Sequence, residues 1–225
     1  MTDRKRFFGT MWTVALCCLV MAFIDGVVKP HYAVKSAVKL VLFSGVPVLY
    51  CYLNKEVGIL QVLKTNKRGI GFALLLCFPV FGVIIGAYAV LKNIFDFSAV
   101  TKVLSMDIGV NKGNFVFVAT YIAFVNSFLE EFFFRGFAFL TLKKVASAKV
   151  SNIFSSAMFA LYHIAIMSGW FSVWVFLIII AGLFAGGLVF NFLDTRGKSV
   201  YTSWLVHMFA NFAINLIGFS LFGII

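Results

Sequence analysis

Long apolar runs near residues 7–25, 36–53, 69–91, 114–141, 151–168, 171–193 and 200–223 dominate this 225-residue chain and decide what it can fold into. In hydrocarbon every backbone N–H and C=O must be satisfied within the protein, so a spanning segment is a helix or a strand of a closed barrel. A helix needs about 20 apolar residues to cross a core roughly 30 Å thick, whereas a barrel strand needs about 10 of alternating polarity. These runs have helical length and are apolar on all sides. With 62% hydrophobic and 12% charged residues, the chain reads as an all-α polytopic membrane protein of seven transmembrane helices. An eighth would require the last run to split near Gly218, or the amphipathic stretch 95–106 to enter the membrane. No linker, low-complexity segment or internal repeat divides the chain, which predicts one membrane domain over 1–225. Within it, 1–113 supply N-terminal spanning helices and 114–225 carry the polar motifs.

The net charge of +11 does not indicate nucleic acid, because the Lys and Arg residues are spread through short loops. Placing Arg4, Lys5, Arg6, Lys55, Lys64, Lys67, Arg68, Lys143, Lys144, Lys149, Arg196 and Lys198 on one side leaves Lys29, Lys35, Lys39, Lys92, Lys102 and Lys112 on the other. That bias predicts a cytoplasmic N-terminus and lysines that meet anionic lipid headgroups. The first run is long for a signal-peptide core and lacks a small-residue cleavage pair before Asp25, so it reads as an uncleaved signal anchor. Cys17, Cys18, Cys51 and Cys77 have no metal-ligand spacing and read as buried free thiols. His31, beside Pro30, reads as a solvated loop residue. Gly182 and Gly186 form a GxxxG spacing, which lets helix backbones pack closely.

Against this apolar background a few ionisable residues are costly and therefore informative. Glu130 and Glu131 precede Phe132, Phe133, Phe134 and Arg135 inside the fourth run. Four residues apart on a helix, Glu131 reaches Arg135, and Asn126 shares the face of Glu130. Glu130 then lacks a cation of its own, the environment that tunes a carboxyl for acid–base work near neutral pH. Phe159 precedes His163 by four residues, and His207 precedes Asn211 by four, with Asn215 one turn further on. Counted along helices at ~1.5 Å per residue, Glu130 lies about 20 Å from Lys143, His163 about 21 Å from Lys149 and His207 about 14 Å from Lys198. With ordinary tilts these depths coincide, so three helices can enclose one polar cavity within the membrane.

Three chemistries fit such a set. In hydrolysis, Glu130 and His163 deprotonate a water while His207 and Asn211 donate to a tetrahedral oxyanion, with no Ser or Cys nucleophile. Alternatively, zinc acidifies the water, but no HExxH pair is present and the ligands would come from three separate helices. A proton or ion relay is the third, weakened by the lack of matching Gly/Pro-interrupted segments in two halves. A non-enzymatic membrane scaffold, serving bacteriocin immunity or a signalling partner, also stands.

The pattern EExxxR at Glu130, Glu131 and Arg135, then FxxxH at Phe159 and His163, then HxxxN at His207 and Asn211 resembles the motifs of the CPBP family. Those are glutamic-type intramembrane proteases: type II CAAX prenyl endopeptidases and bacteriocin-processing enzymes, also called Abi proteins. Gly186 and Gly187, Asp194, Thr195 and Arg196, and Trp204 ahead of His207 add to the likeness, which spans residues 126–215. It implies that Glu130 and His163 activate water, that His207 and Asn211 form the oxyanion site, and that Glu131 and Arg135 support them. It also implies a metal-independent, cofactor-free enzyme acting on a membrane-associated peptide or protein. The short loops favour a bacterial plasma membrane.

Overall fold

The computed structural model describes residues 2–54, 59–65 and 67–225, the side chain of Arg68 excepted. Among these residues every regular element is helical. The long helices are α1 (Asp3–Val28), α2 (Tyr32–Leu53) and α3 (Lys67–Leu91). The 11-residue α4 (Ser98–Ile108) leads to α5 (Phe115–Lys144), α6 (Ala148–Ile166), α7 (Val173–Gly197) and α8 (Val200–Leu221). Among the described residues six helices are long and apolar enough to cross a membrane, and this fits the all-α polytopic fold. α6 has 19 residues but carries Lys149, Asn152, several serines and His163, which dilute its hydropathy. α8 continues unbroken through Gly218, and the 95–106 stretch coincides with α4, about 16 Å long at helical rise.

α5 is the central element. From Glu131 to Phe139 every residue is buried, so α5 has no lipid-facing side there. Phe133 stacks on Phe43 of α2 at 4.1 Å between ring centroids, and Phe134 meets Phe159 of α6 edge-on at 5.4 Å. One apolar cluster joins Val14, Cys17 and Met21 of α1, Phe43 of α2, Phe133 and Phe137 of α5, and Tyr162 of α6. The four cysteines lie buried and unbridged.

α6 and α7 approach closely at Gly187, where a Cβ would fall 2.9 Å from that of Ser156. A Cβ at Gly182 or Gly186 would meet no packed neighbour within 4 Å, so the α6–α7 contact forms at Gly187 and not through the GxxxG spacing. The turn between α7 and α8 is tied by Asp194, which accepts from the Ser203 backbone N–H at 2.9 Å and its hydroxyl at 2.8 Å. α8 packs most extensively on α3 and runs antiparallel to α5.

Two lysines counted with the charges of the side opposite the N-terminus are engaged within the protein instead. Lys39 lies two turns inside α2, and Lys35 pairs with Asp25 of α1 at 2.6 Å. Lys35 precedes the apolar run at 36–53 and Lys39 falls in its first turn, so the sequence places both with the charges of that side. Lys55 and the side chain of Arg68, counted in the charge bias, lie outside the described residues. His31 is exposed at the start of α2.

Candidate active site

α5 is not a uniform α-helix. Wide π turns occupy Ile122–Asn126 and Glu131–Thr141, with one α turn, Ser127–Glu130, between them. Such turns re-aim side chains and recur at functional sites. Glu130 and Glu131 flank the second junction, and both carboxylates are buried in the protein.

The imidazole of His207, on α8, bridges the two acids. Its Nδ1 lies 2.7 Å from Glu131 Oε1 and its Nε2 lies 3.7 Å from Glu130 Oε2. His163, on α6, presents its Nε2 to the same Glu130 oxygen at 3.9 Å, while its Nδ1 lies 2.7 Å from the Phe159 carbonyl. A carbonyl and a carboxylate only accept, so Nδ1 carries the proton in both rings. In the neutral imidazoles each Nε2 is then a lone pair. Glu130 Oε2 therefore faces two further acceptors beyond direct hydrogen-bond reach.

The other oxygen of Glu130 is fully engaged. Oε1 accepts from Asn126 Nδ2 at 3.0 Å, as the helical spacing suggested, and from Lys39 Nζ at 2.5 Å. The expectation that Glu130 lacks its own cation is thus corrected. The partner comes from another helix, where neighbour rules along one sequence segment cannot find it. Lys39 is the site residue that sequence reasoning missed, and its only signal was a lysine inside an otherwise apolar stretch of α2.

Glu131 also meets Arg135, with Nε 3.2 Å from Oε2, bent away from hydrogen-bond geometry. The Arg135 guanidinium instead packs over the rings of Phe159 at 4.1 Å and Phe190 at 5.0 Å. Phe159 also contacts both histidine rings, at 4.8 Å for His163 and 5.9 Å for His207, and Phe190 stacks on His207 at 5.4 Å. Aromatic walls thereby fix both imidazoles.

Asn211 lies one turn beyond His207 on α8. Its amide donates to the Ile122 carbonyl at 3.2 Å, and Asn215 donates to that of Ala119 at 2.8 Å. With Trp204 Nε1 donating to Ser127 Oγ at 3.0 Å, these contacts hold α8 along α5. Asn211 keeps one amide proton beyond that contact. Among the described residues, no group of three or more His, Cys, Asp or Glu side chains is arranged to hold a metal ion.

Residues 112–213 match the family model of the type II CAAX prenyl endopeptidases, Rce1-like. This matched segment, somewhat under half of the chain, is the one that carries the polar motifs. This supports the CPBP resemblance and a CAAX-type intramembrane protease, a hydrolase of peptide bonds. No curated protein and no solved structure matches the chain. The Rce1-like segment contains Glu130, Glu131, Arg135, Phe159, His163, His207 and Asn211, whereas Lys39 lies outside it.

Proposed function

We propose that this chain is a glutamic-type intramembrane endopeptidase in which Glu130 and His163 activate a water to hydrolyse a peptide bond of a membrane-associated peptide or protein. The observation that carries this reading is the meeting of three acceptors, Glu130 Oε2 and the Nε2 atoms of His163 and His207, at separations of 3.7 and 3.9 Å. A water has two protons to give, so one lying between them donates to two of the three acceptors and exposes its own lone pair. Attack on the scissile carbonyl forms the new C–O bond as the water proton passes to Glu130 or His163. When the proton is taken by Glu130 Oε2, which faces His207 Nε2 at 3.7 Å, it can pass on to that nitrogen, which then offers N–H to the oxyanion; the remaining Asn211 amide proton is the second donor, and the same proton returns through Glu130 for the leaving amine. Collapse breaks the C–N bond, and the proton held at the base goes to the leaving amine.

The mechanism needs no metal, because the carboxylate and imidazole remove the proton directly. Peptide hydrolysis by the purified protein is expected to survive strong chelators, with no stoichiometric zinc by elemental analysis. Glu130→Gln and His163→Ala are each expected to lower kcat by about 10²–10⁴-fold, the usual contribution of a positioned acid–base group. Unchanged turnover in both variants would remove the assigned roles. We place the enzyme in a bacterial plasma membrane on the ground of its short loops, with its N-terminus cytoplasmic on the ground of the Lys and Arg bias between the two sides.

A further inference from the structure

We infer that Lys39 is a positioning residue for the Glu130 base: its ammonium closes a ring with Asn126 and Glu130 that occupies Oε1 and leaves Oε2 as the working oxygen. This rests on the protease reading above and extends it to a helix outside the family-matched segment.

The ring is closed on all sides. Lys39 Nζ lies 2.5 Å from both Glu130 Oε1 and Asn126 Oδ1, and Asn126 Nδ2 donates back to Oε1 at 3.0 Å. The ammonium also sits 4.9 Å from the Tyr162 ring centroid and 5.3 Å from that of Phe43. An ammonium has three N–H groups; two oxygens and an aromatic wall account for them. None is left for substrate or water, so Lys39 acts through Glu130. With Oε1 taken by two donors, the carboxylate cannot rotate without breaking both bonds, and Oε2 stays aimed at the histidines.

The placement of Lys39 is itself enforced. Lys35, Lys39 and Phe43 recur every four residues along α2 and share a face. Lys35 binds Asp25 of α1 at 2.6 Å, and Phe43 stacks on Phe133 of α5 at 4.1 Å. One contact before Lys39 and one after it fix the rotation of α2. The N-terminal helices thereby supply a part of the site beyond membrane anchoring.

The test uses the purified full-length protein and an internally quenched, farnesylated CAAX peptide. Lys39→Met is expected to lower kcat by roughly 10²-fold with KM unchanged, because the group lost orients the base and does not touch substrate. Lys39→Ala is expected to show the same loss, partly restored by methylammonium, which brings N–H donors, and not by tetramethylammonium, which has none. Wild-type kcat in Lys39→Met, or a loss that methylammonium leaves untouched, would overturn the role. The pairing is read separately by thermal unfolding. Lys39→Met and Glu130→Gln should each lower the Tm, and the double variant should regain most of the loss, whereas additive losses would overturn the pairing. A wild-type protein that leaves the peptide uncut counts against the protease reading, while the unfolding cycle still decides the pairing.

Discussion

At the scale of single residues, the two adjacent glutamates have separate work. Glu131 holds the Nδ1 of His207 at 2.7 Å and so selects which ring nitrogen faces Glu130. Glu131→Gln can present an amide donor there and turn the tautomer around; kcat measured on that variant should fall by about 10²–10⁴-fold, as when the acid of a catalytic triad is amidated. Asn211→Ala is expected to cost about 10²–10³-fold in kcat, the loss typical of one oxyanion donor. An Asn211→Ala enzyme at full rate would confine Asn211 to its contact with Ile122. Removing Lys39 alone strands a buried carboxylate, and destabilisation of about 3–5 kcal/mol is expected from chemical or thermal unfolding. The motif residues were legible in sequence because ionisable and amide groups inside apolar runs demand a reason. Lys39 was not, since its partner Glu130 lies 91 positions away and only packing joins them.

At the scale of elements, the π turns of α5 carry the largest difference from the sequence reading. A 3.6-residue period places Asn126 with Glu130 and Glu131 with Arg135, and these neighbours do meet. It does not foresee a π run over Glu131–Thr141 in which every residue from Glu131 to Phe139 is buried. The period describes a helix with one covered face, whereas α5 is enclosed by α1, α2, α6 and α8. Glycine spacing likewise shows where close packing is allowed but not where it happens. Gly187→Ala should destabilise the protein by about 1–3 kcal/mol, because its Cβ would press on Ser156, while Gly182→Ala should be neutral or slightly stabilising. Comparing the two unfolding midpoints checks this, and equal effects would show that α6 and α7 do not meet as described. Asp194→Ala should cost about 1–3 kcal/mol by leaving the buried Ser203 N–H without its acceptor, while the Ser203 hydroxyl keeps the Val200 carbonyl.

At the scale of the whole molecule, the site is assembled from α2, α5, α6 and α8, so its integrity depends on both ends of the chain. A separate concavity of about 680 Å³ lies at the lysine-rich helix ends, lined by Lys64, Lys67, Lys143, Lys144 and Lys198, and the Glu130 cluster does not line it. If those ends face the cytoplasm, a reporter fused after Ile225 is expected to report the opposite side from one fused at the N-terminus. Reporters on the same side would require an even number of crossings. By itself, the sequence determined that the chain lives in a membrane as helices, because apolar runs of this length leave the backbone no other way to satisfy its hydrogen bonds. It also marked the polar residues too expensive to keep without a use. Tertiary structure alone decided which cation answers Glu130, which nitrogen of each histidine faces the acid, and where α6 meets α7. Those outcomes depend on contacts between helices, whose relative rotation is set by how their side chains pack and which no local periodicity encodes.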